Sequence, residues 1–171
     1  MHGIPAAVGL DPEIVAEFRD FARSSAECCL RSHLVGHFTG SAFVVSADGR
    51  RTLLTHHRKL DRWLQPGGHA DGDGDLQRVA LKEAEEETGL EGLQVGVEVF
   101  DLDRHWIPER KSDPGHWHYD VRFVVRATGD ESFVVGEESN DLRWWPIQAV
   151  AAEESFDPSL RRMATKWLAG V

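Results

Sequence analysis

The sequence predicts an α/β fold, a mixed β-sheet held between helices on both faces. Three observations carry that expectation. Segments with apolar residues at helical spacing begin on a capping acid. Runs rich in β-branched and aromatic residues lie between them, bounded by Gly, Pro, Asp and Ser. The two kinds of segment do not alternate strictly, so strands mix with helices.

Asp11-Pro12-Glu13 opens the first helix: an acceptor at the N-cap, proline at the first position and an acid in the first turn. Ile14, Val15, Phe18, Phe21 and Ala22 continue it into the twenties. FTGSAFVVSADGRRTLLTHH reads as two strands around the turn Ala47-Asp48-Gly49. Residues 76–88 lack Pro and Gly, carry the apolar stripe Leu76, Val79, Ala80 and Ala84, and are closed by Gly89. LQVGVEVFDLDRHWI (93–107) is strand-like, 108–115 is a loop, and HWHYDVRFVVRA (116–127) has the strongest strand pattern. Within ESFVVGEESNDLRWWPI a short strand, an acidic loop and a strand over 143–147 are expected, and 159–168 closes the chain as a basic amphipathic helix.

At 171 residues with 41% hydrophobic composition, the chain fits one globular domain. Its formal net charge of -10 argues against a general nucleic-acid surface, which needs a positive footprint. It leaves phosphate substrates open if divalent cations bridge the two negative parties. No signal peptide and no apolar run near twenty residues is visible, so a cytoplasmic protein without a membrane span is expected. Cys28 and Cys29 are adjacent and read as packed thiols rather than a disulfide or zinc site.

The stretch PGGHADGDGDLQRVALKEAEEETGL (66–90) concentrates carboxylates on one helix. Glu83, Glu86 and Glu87 stand at i, i+3 and i+4 and share a face, whereas Glu85 points away. Three like charges near a helix C-terminus repel one another and oppose the helix dipole. Either they are a solvated face, or a hard divalent cation reverses the sign of that interaction. The Pro-Gly-Gly before them permits close backbone approach to a charged ligand. Asp75 supplies an N-cap for the helix.

The same stretch resembles the signature of the Nudix hydrolase family: Gly, five residues, Glu, seven residues, Arg-Glu, apolar, any, Glu-Glu, any, Gly, apolar. Gly68 takes the first glycine, Glu83 the glutamate after the arginine, Ala84 the apolar position, Glu86-Glu87 the pair, and Gly89-Leu90 the end. The spacing matches without a gap. Two positions depart: Gly74 stands where the family has its first glutamate, and Lys82 where it has arginine. Lysine keeps the charge but loses the planar fork.

The resemblance implies a Nudix-like α/β/α sandwich over 37–171, preceded by a helical extension over 1–36. It implies hydrolysis of a phosphoanhydride bond in a nucleoside diphosphate linked to another moiety, by water attack at phosphorus, with Mg²⁺ or Mn²⁺. Glu86 and Glu87 are then the foremost metal ligands, with Glu83 as a third ligand or a water-orienting group, joined by a carbonyl of Gly67 or Gly68 and, in place of the missing glutamate, by Asp71 or Asp73, of which Asp71 holds a position frequently acidic in the family. Lys82 orients the glutamates. The general base is a glutamate of the box or one on the loop before a late strand, where Glu138 is the expected residue, with Glu137 in reserve.

His116, His118 and Asp120 share one strand face, where they could bind a metal, line a phosphate pocket or be an ordinary polar face. His118, Asp120, His69 and Arg62 are the candidate substrate contacts, and Trp106 a candidate for stacking a base. A non-catalytic nucleotide-binding module of the same fold is the alternative. An isoprenyl diphosphate isomerase chemistry is disfavoured because both cysteines lie outside the family core. The first helix is free to pack on the core or to form a homodimer.

Overall fold

The computed structural model describes residues 9–110, 113–137 and 139–170. The elements run α1 (Pro12–Ser24), β1 (Gly36–Val45), β2 (Arg51–His57), β3 (Arg62–Leu64), β4 (Gly67–His69), α2 (Leu76–Thr88), β5 (Gln94–Val95), β6 (Asp101–Ile107), β7 (His116–Arg126), β8 (Ser139–Pro146), α3 (Ile147–Ala152) and α4 (Pro158–Leu168). The expected mixed sheet between helices is what forms. β1 pairs parallel with β7 along its whole length, while β4 on β1, β6 on β7 and β8 on β2 are antiparallel.

Every residue of β1 is buried, because both faces of this central strand are covered. Phe38 packs with Phe18 and Phe21 of α1 and with Tyr119, and Ala42 and Val44 lie with Ala84 of α2. The alternate residues Phe43 and Val45 meet Ile147, Val150, Leu160, Met163 and Ala164 of α3 and α4. One face of the sheet therefore carries α1 and α2, the other α3 and α4, as a period of two requires. Gly40 lets α2 lie close: a Cβ there would stand 2.9 Å from the Leu76 carbonyl oxygen.

The caps read from the sequence hold. Asp11 accepts from the Glu13 amide at 2.9 Å and Asp75 from the Arg78 amide at 3.1 Å, and Gly89 ends α2 at φ 67. Three expectations are corrected. The strand-like run 93–107 is two strands, β5 and β6, separated by 96–100. No strand forms over 131–137; the Val134 amide donates to the Thr88 carbonyl instead, which ties this segment to the end of α2. The short strands β3 and β4 and the helix α3 went unread, since three-residue strands and a six-residue helix are too short for periodicity. Among the described residues no helix is long and apolar enough to cross a membrane.

Candidate active site on the acidic helix

The two glycines before the acidic helix are fixed by close approach on opposite sides. β4 pairs with β1 through Thr39–His69, Gly40–Gly68 and Ser41–Gly67. A Cβ on Gly67 would lie 2.1 Å from Ser41 Oγ, and a Cβ on Gly68 would lie 2.4 Å from Glu83 Oε2. Gly68 thus faces α2, and Gly67 and His69 face the other side. The Gly67 amide also donates to Glu87 Oε1 at 2.8 Å. Glu83 and Glu87, one turn apart on α2, are both laid against the β4 backbone.

Glu83 is half-buried, and burial raises its pKa first; Glu86 pushes the same way and Lys82 opposes. Lys82 Nζ lies 3.6 Å from Glu83 Oε1 and 3.4 Å from Glu86 Oε2, so the lysine stands at both carboxylates without a bidentate fork. Glu86 is exposed at the helix surface, and Glu85 points into solvent as expected. Carboxylate donors are what Mg²⁺ or Mn²⁺ prefers, so Glu83, Glu86 and Glu87 fit such an ion by chemistry.

The acids on either side of Gly74 are engaged by arginines. Asp71 makes a two-pronged ion pair with Arg31, at 2.5 Å from Nε and 2.7 Å from the terminal nitrogen. Asp73 receives two bonds from Arg78, at 2.8 and 2.6 Å, and accepts the Asp75 amide. The turn itself requires left-handed backbone at Asp71 (φ 49) and Gly72 (φ 90). The Gly72 amide donates to the Cys29 carbonyl at 2.8 Å, so the segment after α1 docks on this turn.

On the sheet face away from α2, register lines up three polar rows. His37, His118 and His105 are opposite one another across β1, β7 and β6. Next come His69, Thr39, Asp120 and Asp103, and then Ser41, Arg122 and Asp101. Asp120 is buried; its Oδ1 accepts from Thr39 and Ser41, both at 2.8 Å, and its Oδ2 from Arg122 at 2.7 Å. Arg122 is fully enclosed and also meets Asp101 and Asp103, which Arg162 of α4 binds from outside.

The structure brings His69 and His118 together, with ring centroids 5.0 Å apart, beside Asp120 and across β4 from the glutamates. Arg62 stands elsewhere, 3.6 Å from Asp157 at the start of α4. Glu138 lies outside the described residues; Glu137 lines a small open cleft with His57, Arg58 and Lys59. Trp106 is half-exposed and packs edge-on against Trp117 at 5.2 Å. Cys28 and Cys29 are buried free thiols, and burial together with Cys28 pushes the Cys29 thiol up to about 12. Sequence reading missed Arg31, His37, Thr39, Ser41 and Arg122. The period-two phase of GHFTGS places His37, Thr39 and Ser41 together, but only the register against β7 shows what they meet.

A mixed sheet between helices, with a glycine-cradled acidic helix after a short strand, defines a protein of the Nudix class. Residues 37–167 match the NUDIX domain family, and the chain belongs to it. It is 31% identical over 129 residues to "Putative 8-oxo-dGTP diphosphatase 3" of Mycobacterium tuberculosis, covering 69% of this chain and 56% of that protein. The chain therefore spans little more than half the length of the curated relatives it matches. Among solved structures, it is similar to the dihydroneopterin triphosphate pyrophosphohydrolase of E. coli (TM-score 0.64, 17% identity, 78% of this chain and 96% of that one). It is also similar to a NUDIX family hydrolase from Clostridium perfringens (TM-score 0.59, 19% identity, 78% and 96% covered). At such identities these two likenesses show the fold.

Proposed function

We propose that the chain is a metal-dependent pyrophosphohydrolase that cleaves a phosphoanhydride bond of a nucleoside diphosphate joined to a second moiety, by attack of water at phosphorus. The observation that carries this reading is the seating of Glu83 and Glu87 against Gly68 and Gly67, with Glu86 on the same helix face. Glu83, Glu86 and Glu87 would hold Mg²⁺ or Mn²⁺, with a carbonyl of Gly67 or Gly68 as a further donor. When bound, the ion neutralises phosphate oxygens and lowers the pKa of water. Lys82 keeps Glu83 and Glu86 from turning away from each other. Glu138, outside the described residues, is the proposed base. His69 is the proposed substrate contact, while Arg62, held near Asp157, stands apart from it, and Asp120, whose oxygens are already taken, fixes the strand beneath His118.

A second reading has one observation in its favour. Asp71 and Asp73 are both bound to arginines, so neither stands ready as the carboxylate absent at Gly74, which suits a binding module. One experiment separates the two. The protein is incubated with Mg²⁺ or Mn²⁺ and nucleoside triphosphates (8-oxo-dGTP first), nucleotide sugars, dinucleoside polyphosphates and ADP-ribose, and products are quantified. Turnover that disappears in Glu86→Gln supports the enzyme. Tight binding of one compound with no turnover of any would replace it by the binding module.

A further inference from the structure

Five histidines from four strands meet at one end of the sheet, on the face opposite α2. The ring of His37 lies 5.1 Å from His69, 4.8 Å from His116 and 4.9 Å from His118, centroid to centroid. His105 is 5.4 Å from His118. Among the described residues, His37, His116 and His118 are the group whose donor atoms all lie within 4.8 Å of one another; the glutamates of α2 form no such group.

Three features distinguish this cluster from an ordinary polar strand face. His37 is 3% exposed, and neither of its ring nitrogens has a hydrogen-bond partner. A buried imidazole without partners is costly, and a metal ion is one ligand that satisfies it. His116 Nδ1 is 2.9 Å from the Pro114 carbonyl oxygen, so that nitrogen donates and Nε2 presents its lone pair to the cluster. His116 Nε2 and His118 Nε2 are 3.2 Å apart. Two ligands on a tetrahedral zinc ion at about 2.0–2.1 Å stand about 3.3–3.4 Å from each other.

Burial first, and the neighbouring histidines after it, lower His37 to about 4 and hold His118 far below its ordinary value. The His33 backbone partly opposes this at His37 without reaching hydrogen-bonding geometry.

We infer that His37, His116 and His118 form a binding site for one transition-metal dication, Zn²⁺ by the preference of imidazole ligands, separate from the carboxylate site on α2. His69 and His105 flank the site. His105 is held through Nδ1 by Asp103 Oδ2 at 3.1 Å, a carboxylate–imidazole pair suited to an outer position. β4 joins the two sites: Gly67 and Gly68 hold the glutamates, and His69, next in sequence, faces the zinc.

The untagged full chain, stripped with EDTA, is titrated with Zn²⁺ against a chromophoric chelator and separately with Co²⁺. The expected result is one equivalent of Zn²⁺ and intense visible Co²⁺ bands of a four-coordinate site. His116→Ala, at a partly exposed position that should tolerate it, should weaken binding by more than the roughly 10–100-fold that losing an outer-shell partner costs. His118→Ala should do the same, with far-UV circular dichroism confirming the fold of each variant. Glu83→Gln/Glu86→Gln should bind zinc as the parent does. No stoichiometric Zn²⁺, or unchanged affinity in a folded His116→Ala variant, or loss of binding in the glutamate variant alone, overturns the site.

Discussion

Gly67 and Gly68 are neighbours with the same side chain, yet alanine should have opposite consequences at the two positions. At Gly68 the new Cβ would stand 2.4 Å from Glu83 Oε2 and 2.5 Å from its Cδ. Ordinary contact begins at 3.4 Å, so the carboxylate must retreat by 3.4 − 2.4, about 1 Å. The obstructing atoms are the far end of a flexible side chain, so the fold can yield at little cost. A displacement of about 1 Å in a catalytic group can reduce turnover roughly 100-fold. Gly68→Ala should therefore keep its stability and lose about two orders of magnitude in kcat on whichever substrate the panel identifies.

At Gly67 the Cβ would meet Ser41 Oγ at 2.1 Å, its Cβ at 2.8 Å and its Cα at 2.9 Å. Moving Ser41 Cα means moving the central strand, and turning its hydroxyl away breaks the bond to Asp120. Overpacking of this kind costs about 1–3 kcal/mol, and the lost hydrogen bond adds about 1. Gly67→Ala should lower the urea midpoint clearly. The measurements are urea denaturation and steady-state kinetics on both variants. A Gly68→Ala protein with parental kcat, or one that loses as much stability as Gly67→Ala, would refute the argument that Gly68 exists to admit Glu83.

Arg122→Leu removes the enclosed cation from Asp120, and breaking a buried pair in this way should cost about 3–5 kcal/mol by denaturation; Arg122→Leu/Asp120→Leu should recover much of that loss. For Asp103, burial disfavours the charge, but His105, Arg122 and Arg162 outweigh it and hold the carboxyl below its usual range. A depressed folded pKa contributes stability above the unfolded value of about 3.9 and loses it as pH falls, so Asp103→Asn should be destabilising at pH 7 and progressively less so below about pH 4. Arg31→Ala should leave the core intact but loosen the turn at Asp71–Gly72, seen as faster amide exchange at Gly72; unchanged protection would show that the ion pair does not hold the turn.

What the sequence made legible divides along range. The acidic helix, its Asp75 cap and its Gly89 end are local, and spacing alone located all three within a residue. The carboxylate face of Glu83, Glu86 and Glu87 followed from helical rotation. Strand partners were invisible, because register is a relation between distant segments: nothing near His37 says that it will lie opposite His118, 81 positions away. The trio read on β7 as His116, His118 and Asp120 was therefore right about the shared face and incomplete about its neighbours. Asp120 lies one row deeper, occupied by Thr39, Ser41 and Arg122, while His37 from β1 takes the place beside the two histidines.

The DGDGD turn has a physical explanation that does not involve metal. A glutamate at residue 74 would add a charge between Asp73 and Asp75, and all three would repel at the start of α2. With glycine there, Asp73 is left to clamp Arg78 and Asp75 to cap the helix. Asp71 and Gly72 are then free to adopt the left-handed backbone that presents one carboxylate to Arg31 and one amide to the Cys29 carbonyl. The segment bearing Arg31 and Cys29 is anchored in turn by Phe18 and Phe21 of α1, packed on Phe38 and Tyr119 in the same core cluster. The turn that opens the acidic helix has become the place where the N-terminal segment docks. The position of β4, and with it the seating of Glu83 and Glu87, is set from both sides: by α2 below and by this clasp at its end.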